Sequence, residues 1–372
     1  MKNVLLLLFA FALFGSCARK NEPVADTNDV VFISASNHLY ALDAQTGAER
    51  WHIKEKNNYS YYGSPVVLKE HLYINSINKF YVYNTENGTE KWNFGNGNYG
   101  NGLPLVHDGL VFTPSGGPEF FTTKLLALNA DSGTEIWNFQ SSGSASSPVY
   151  LNDNIYFTMQ RSLYALHAKT GVRKWVFTTK TPTYTHAEFT APAIVNNVAY
   201  FGSSGENKLY AIDTDTGAKK WEFLADSSIY TAPTCSNRFV YFGCADNKLY
   251  ALDADTGQLA WTYTTKNAII SSPVEADGVI YFGSLDGNMY AVEDKNGEPK
   301  WVFKVGSTIR SSPVLANGYI YFGSDNKKIY ALDASTGIKK WEFETVSSVS
   351  SSPCVVSKFG NVFHSGLSGM QQ

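Results

Sequence analysis

The sequence has no run of basic residues, few cysteines and no stretch with convincing helical periodicity. Its formal net charge is −3, and the lack of a basic patch argues against nucleic acid as a partner and against electrostatic binding to membranes. Besides Cys17 it has Cys235, Cys244 and Cys354. In a hairpin that turns at residues 237–238, Cys235 and Cys244 would lie roughly 13 Å apart at about 3.3 Å per residue, too far for a disulfide. We expect all three to be buried small residues.

Residues 1–28 are predicted to be a targeting segment followed by a tether. Lys2 precedes an apolar run from Val4 to Phe14, which is shorter than the about 20 residues that cross a bilayer and is typical of a secretory signal peptide. The next residues, "FGSC", resemble a bacterial lipobox, although Phe14 stands where leucine is commoner. The resemblance implies a signal peptide over 1–16, acylation of Cys17 and a polar tether over 17–28. The alternative is an ordinary signal peptide that contains a cysteine.

Internal repeats dominate the rest of the chain. A column of eight tryptophans recurs with separations of 38 to 46 residues, and a second column of eight prolines, in "SP", "AP" or "LP" steps, recurs at the same period. Two independent columns at one period indicate a repeat architecture. The tryptophans are Trp51, Trp92, Trp137, Trp175, Trp221, Trp261, Trp301 and Trp341.

One repeat reads "SSPVLANGYIYFGSDNKKIYALDASTGIKKWEFE" (311–344). It holds four short segments rich in aromatic and branched residues, separated by "NG", "SDNK" and "DASTG", which have turn chemistry. Four antiparallel strands every 40 residues are typical of one blade of a β-propeller. The sequence therefore predicts an all-β, eight-bladed propeller over residues 29–366, with a tail over 367–372. Four aspartates are interpreted as turn formers: Asp43, Asp213, Asp253 and Asp333.

The two columns also predict how the ring closes. The first tryptophan precedes the first proline, and the last proline follows the last tryptophan. Blade one therefore lacks an innermost strand of its own, and "SSPCVV" near the C-terminus has no tryptophan partner. We expect residues 351–357 to pair with 29–53, because this removes an exposed sheet edge. The half-repeat over 358–366 has no assigned place.

The repeat "YALDAxTGxxxW" resembles that of PQQ-type β-propellers, a family that includes quinoprotein dehydrogenases and a barrel-assembly lipoprotein of the outer membrane. In its tryptophan-docking motif, alanine, glycine and tryptophan occupy relative positions 1, 7 and 11, as Ala41, Gly47 and Trp51 do here. Only blade two departs in the alanine column, with Val82. The resemblance implies that the eight tryptophans are structural wedges between blades.

The family implies different functional classes. A quinoprotein dehydrogenase would hold PQQ on the axis with Ca²⁺, a catalytic aspartate, a vicinal disulfide and a tryptophan floor. This sequence has no Cys-Cys pair and uses all its tryptophans for docking, so neither PQQ nor calcium is expected and no catalytic residue is assigned. The second class is a non-catalytic scaffold for an envelope protein, lipid-anchored at the outer membrane and belonging to the barrel-assembly machinery. A third is a surface lipoprotein that binds polysaccharide.

The connectors between blades are where a binding site is expected. "GNGNYG" (95–100) matches the dinucleotide fingerprint, but no helix follows it, so it is interpreted as a glycine-rich connector. Departures from the repeat collect in the connectors and loops of blades one to five, all on one face, and variable loops on a rigid scaffold commonly carry binding. The alternative is that their aromatic side chains only cover the blade ends. The predicted binding face comprises Tyr59, Tyr61, Tyr62, Tyr99, Phe121, Tyr184, His186, Glu188 and Phe189.

Overall fold

The structure is a computed structural model that describes residues 29–61, 63–95, 102–116, 123–180 and 189–364. In these ranges 33 β-strands form seven four-stranded sheets and one five-stranded sheet, all antiparallel. Nowhere in the described ranges is there a helix with the length and apolar character of a membrane span. The fold is the all-β, eight-bladed propeller that the repeat predicts.

Each blade runs from an innermost strand, which begins just after the repeated proline, to an outermost strand that carries the tryptophan. Blade 1 combines β1 (Val30–Ala35), β2 (His38–Asp43) and β3 (Glu49–Lys54) with β32 (Cys354–Val356) and β33 (Val362–His364). Blades 2 to 4 comprise β4 (Val66–Leu68), β5 (His71–Asn75), β6 (Phe80–Asn84), β7 (Glu90–Phe94); β8 (Leu105–His107), β9 (Leu110–Gly116), β10 (Thr123–Asn129), β11 (Glu135–Ser141); and β12 (Val149–Leu151), β13 (Asn154–Met159), β14 (Ser162–His167), β15 (Arg173–Thr178).

Blades 5 to 8 repeat the same order of strands. They comprise β16 (Ala193–Val195), β17 (Val198–Ser203), β18 (Lys208–Asp213), β19 (Lys219–Leu224); β20 (Thr234–Cys235), β21 (Phe239–Gly243), β22 (Lys248–Asp253), β23 (Leu259–Thr264); β24 (Val274–Ala276), β25 (Val279–Gly283), β26 (Asn288–Glu293), β27 (Pro299–Lys304); and β28 (Val314–Ala316), β29 (Tyr319–Ser324), β30 (Lys328–Asp333), β31 (Lys339–Glu344).

Blade 1 joins the first and last strands of the described chain. β1 pairs antiparallel with β32, and Val30 lies opposite Val356. Asp29 adds a polar contact, because its Oδ1 accepts a 2.7 Å hydrogen bond from the backbone N–H of Lys358. The strand of blade 1 that is equivalent to the proline-preceded innermost strands of the other blades therefore comes from the far end of the sequence.

The half-repeat at 358–366, for which the sequence gives no place, supplies β33. This strand pairs with the axial edge of β32, and Val356 lies opposite Val362. It also lies against β28 and β4, the innermost strands of the two neighbouring blades. A fifth strand of blade 1 thus occupies part of the central channel.

The hydrophobic core lies between the blades. The second and third strands of each blade are almost entirely buried, whereas the outermost strands alternate between exposed and half-buried residues. One interblade cluster brings Tyr321 and Trp341 of blade 8 together with Leu42 and Val355 of blade 1. Burying each large side chain contributes about 1.5–3 kcal/mol, so contacts between neighbouring blades hold the ring together.

The turns between the third and fourth strands are built on the repeated aspartate. The Asp333 carboxylate accepts hydrogen bonds from the backbone N–H groups of Ser335 at 3.1 Å and Thr336 at 2.9 Å. Gly337 follows with a φ of 70°, a conformation that glycine adopts without steric cost. Asp43, Asp213 and Asp253 accept the same kind of backbone hydrogen bond, which confirms their interpretation as turn formers.

Candidate functional site

The tryptophans are wedges between blades. The indole of Trp341 lies against Gly47 of blade 1, and a Cβ on that glycine would come within 2.7 Å of the ring. The indole Nε1 of Trp341 also donates a 2.9 Å hydrogen bond to the carbonyl of Ala44. Every other docking tryptophan repeats both contacts with the blade that follows it; the remaining Nε1 acceptors are the carbonyls of Thr85, Ala130, Ala168, Thr214, Ala254, Asp294 and Ala334.

A second set of contacts between blades runs along the innermost strands, at the residue before the repeated proline. The backbone N–H of Ser272 donates to the hydroxyl of Ser312 at 2.9 Å, and the N–H of Ser312 donates to Ser352 at 3.0 Å. The N–H of Ser352 donates to Ser64 at 2.7 Å, across the closure of the ring. The repeated "SP" steps mark these serines in the sequence. The repeat of the proline gives no indication that the serine hydroxyl accepts a hydrogen bond from the preceding blade.

The cysteines differ in part from expectation. Cys244 and Cys354 are buried, and burial raises the pKa of the Cys354 thiol to about 12. Cys235 is half-buried, because it belongs to β20, an innermost strand beside the central channel. All three are free thiols, and Cys235 lies opposite Val240 as the hairpin register predicts.

The predicted binding face is described only in part. Tyr59, Tyr61 and Phe189 lie within the described residues. The other residues assigned to the face, and the lipidation site, lie outside them: Cys17, Tyr62, Tyr99, Phe121, Tyr184, His186 and Glu188.

Tyr61 is not part of an exposed surface, which corrects its assignment. It is 5% exposed, and its hydroxyl lies 3.1 Å from that of Tyr83. Its backbone N–H donates to the carbonyl of Ser36 at 2.8 Å, so the connector folds back between blades 1 and 2. Phe189 behaves similarly, since it is half-buried and its ring centroid lies 5.9 Å from that of Phe201. Both side chains cover blade ends.

Tyr59 remains exposed, and a buried carboxylate fixes its position. Glu55 is 3% exposed. Its Oε2 accepts hydrogen bonds from the backbone N–H groups of Asn57 at 2.7 Å and Tyr59 at 2.8 Å, and its Oε1 accepts one from the Tyr81 hydroxyl at 2.9 Å. Burial, and then the Glu55 carboxylate, raise the pKa of Tyr81, so this phenol stays a hydrogen-bond donor. The sequence analysis did not identify Glu55.

A cleft opens beside Tyr59 on the connector face, which we define as the face formed by the blade-to-blade connectors and the loops between second and third strands. The cleft between blades 1 and 2 has a volume of about 320 Å³ and is lined by Asn57, Tyr59, Asn78, Lys79 and Tyr81. The Lys79 ammonium donates a 3.0 Å hydrogen bond to the Asn93 amide oxygen. The chemistry available is one exposed aromatic ring, amide groups and one cation.

Comparison with known proteins gives the family. The chain matches the sequence profile of the family described as outer membrane protein assembly factor BamB over residues 16–100, 83–222, 201–272 and 264–369. None of the curated proteins compared with the chain matches it.

Solved structures share the fold at low sequence identity. BamB from Moraxella catarrhalis is 18% identical with a TM-score of 0.67, and the match covers 82% of this chain and 96% of that chain. The computationally designed Ika8 protein is 14% identical with a TM-score of 0.68, covering 82% and 96%. A europium-containing methanol dehydrogenase is 13% identical with a TM-score of 0.63, covering 81% of each chain. Because the profile matches extend from residue 16 to residue 369, the chain belongs to the family of outer membrane protein assembly factor BamB.

Proposed function

We propose that the protein is a non-catalytic scaffold of the cell envelope. In this proposal a lipid on Cys17 anchors it to the outer membrane, and the connector face docks a protein of the β-barrel assembly machinery. The observation that carries the proposal is the extent of the match to BamB. The matches to the family profile together extend from residue 16 to residue 369.

The described residues do not fit a quinone and a calcium ion, the cofactors of the quinoprotein dehydrogenases that share the PQQ-type repeat. The eight indoles are all used between blades. β33 lies in the central channel, where a cofactor on the axis would have to bind. Within the described ranges, no three His, Cys, Asp or Glu side chains are grouped so that they could hold a metal ion. These observations support a role without redox chemistry.

The connector face offers exposed apolar side chains at several blades. Tyr230, in the connector after blade 5, is 52% exposed, and Val346, in the connector after blade 8, is 57% exposed. A few anchor residues that become buried on association, with tyrosine enriched among them, supply most of the binding energy of protein interfaces. The opposite face carries the turns between third and fourth strands. Its exposed apolar side chains include Val172, which is 66% exposed, and Ile338, which is 68% exposed.

Because both faces carry exposed apolar side chains, substitutions on the opposite face serve as controls for substitutions on the connector face. The tagged full chain is captured from detergent-solubilised envelope, and the proteins that accompany it are identified by mass spectrometry. We expect barrel-assembly components to co-purify, and to be lost from Tyr230→Asp and Val346→Asp but retained by Val172→Asp and Ile338→Asp. Capture without any barrel-assembly component, or equal loss from variants of both faces, would contradict the proposal. Oxidation of alcohols or sugars by the protein with added PQQ and Ca²⁺ would contradict its non-catalytic part.

A further inference from the structure

Blade 2, which lines the cleft between blades 1 and 2, differs from blades 6 and 7 in the partner of its third-strand tyrosine. In blades 6 and 7 the tyrosine of the third strand donates its hydroxyl to an aspartate four residues earlier, as Tyr250 does to Asp246 at 2.5 Å and Tyr290 does to Asp286 at 2.7 Å. In blade 2 the residue four before Tyr81 is Ile77. The carboxylate that accepts the Tyr81 hydroxyl comes instead from Glu55, in the connector of the preceding blade.

The connector that supplies Glu55 is also longer than usual. Thirteen residues lie between Trp51 and Pro65, whereas eleven lie between Trp341 and Pro353. Because Glu55 is bonded to the backbone N–H groups of Asn57 and Tyr59, these additional residues are held in one conformation. The backbone at Tyr59 is therefore held at the edge of the cleft before any ligand arrives, so a ligand loses less free energy in ordering the connector.

The cleft has unused hydrogen-bonding groups. In the described part of the chain, neither the Tyr59 hydroxyl nor the Asn78 amide has a hydrogen-bond partner. The Asn57 amide has only a 3.4 Å contact with Glu55. Each amide supplies both a donor and an acceptor at one site. Glu55 offers no free charge to a ligand, since both of its oxygens already accept hydrogen bonds.

We propose that this cleft binds a pyranose ring of a carbohydrate. A pyranose has a face of C–H groups that packs on an aromatic ring, and a rim of adjacent hydroxyls that both donate and accept hydrogen bonds. Tyr59 supplies the amphipathic ring, and Asn57 and Asn78 supply paired donors and acceptors. The cavity volume of about 320 Å³ is at the lower end of the roughly 300–1,000 Å³ of small-molecule sites. A site for sugar goes beyond the scaffold function and does not depend on it.

The test is saturation-transfer NMR of the full chain with three pyranose disaccharides: cellobiose, maltose and N,N′-diacetylchitobiose. We expect saturation transfer to the ring protons of at least one of them, reduced at least fivefold by Tyr59→Ala and by Asn78→Ala. Tyr59→Phe, which keeps the ring and loses the hydroxyl, is expected to retain part of the signal. Phe359→Ala is the control, because Phe359 is an exposed aromatic residue that does not line the cleft.

Three outcomes would overturn the proposal. One is no transfer to any of the three disaccharides, and another is transfer that survives Tyr59→Ala in a protein with an unchanged circular dichroism spectrum. The third is binding of an acidic peptide such as hexaglutamate that Lys79→Ala abolishes while none of the sugars binds. Capture of barrel-assembly components uses no sugar, so failure of this test and failure of the scaffold proposal are distinguishable.

Discussion

The indole of Trp341 and the carbonyl of Ala44 are 297 residues apart in sequence and joined by a 2.9 Å hydrogen bond. Trp341 is 7% exposed and belongs to a core cluster that spans blades 8 and 1. The same contact links each other pair of neighbouring blades, but here it crosses the closure of the ring. This tryptophan therefore joins blade 8 to blade 1, the blade that contains strands from distant parts of the chain.

Trimming that ring is expected to weaken the closure. Replacing Trp341 by alanine removes a buried aromatic side chain, so we expect a loss of roughly 3–5 kcal/mol in the free energy of unfolding. Trp221→Ala, at a half-buried tryptophan between blades 5 and 6, is expected to cost less. The measurement is urea unfolding followed by circular dichroism. A loss below about 1 kcal/mol for Trp341→Ala would rule out the wedge as a main support of the ring.

Substitution of Gly47, the glycine against which Trp341 packs, is expected to lower the free energy of unfolding as much as substitution of the tryptophan. In Gly47→Ala the added Cβ would lie 2.7 Å from Cδ2 of Trp341, at a residue with a φ of +75°. Gly318→Ala is the control, because Gly318 has a φ of +81° and nothing lies within 4 Å of its added Cβ. The control should lose only the about 1–2 kcal/mol of a left-handed alanine. Equal unfolding midpoints for the two variants would show that the collision with the indole is relieved at no cost.

Blade count and strand order could be predicted from the sequence, because each depends on a local pattern repeated eight times. The docking of the tryptophans was expected from the resemblance to PQQ-type propellers. The turn at Asp333 is fixed by three residues that follow it, so its role is visible in "DASTG". The environment of Tyr61 could not be predicted this way. Its hydroxyl meets Tyr83, 22 residues later in the next blade, and only the packing of two blades brings them together.

The cleft could not be predicted from the sequence either, because it too depends on contacts between two blades. Glu55 looks like an ordinary surface acid in "HIKEKNN", but it accepts a hydrogen bond from a tyrosine 26 residues away in the next blade. A comparison of the repeats position by position would have shown the signal, because this position holds an acid or amide in blades 4 to 8 and Ile77 in blade 2. Lipidation of Cys17 and the part of the binding face outside the described residues remain predictions.

The serine hydroxyls along the innermost strands are expected to protect specific amides from exchange. In Ser312→Ala the half-buried backbone N–H of Ser272 loses its acceptor, which we expect to cost less than the about 1–3 kcal/mol of a fully buried unsatisfied donor. Hydrogen exchange measured by mass spectrometry should therefore become faster at Ser272. It should stay unchanged at Ala232, whose N–H donates to the retained hydroxyl of Ser272.

A matched control for this exchange experiment is Ser335→Ala. Ser335 also uses its hydroxyl in a hydrogen bond, to Asp333 at 2.7 Å, but it lies in an exposed turn. Its removal should change neither the exchange at Ser272 nor the unfolding midpoint by a large amount, since hydrogen bonds exposed to water contribute little. If Ser312→Ala leaves the exchange rate at Ser272 unchanged, the hydroxyl is not the protecting acceptor.

The lowered pKa of the turn aspartate Asp333 predicts how the free energy of unfolding changes in acid. Hydrogen bonds from the hydroxyls of Ser335 and Thr336, and then from the backbone N–H of Thr336, lower the pKa of Asp333 in the folded protein. A carboxylate whose pKa is lower in the folded than in the unfolded state contributes stability above its unfolded pKa, which is about 3.9. That contribution is lost as the pH falls through the lower, folded pKa.

Asp333→Asn isolates this contribution, because asparagine already occupies the equivalent turn position in blades 2 and 3, where Asn84 and Asn129 accept the same backbone hydrogen bonds. The variant should fold normally and be somewhat less stable than the wild type at pH 7. The difference between their urea midpoints should shrink as the pH falls below about 4, because protonation of Asp333 removes the same charge from the wild type. A difference that stays constant from pH 7 to pH 2.5 would mean that the carboxylate charge does not strengthen this turn.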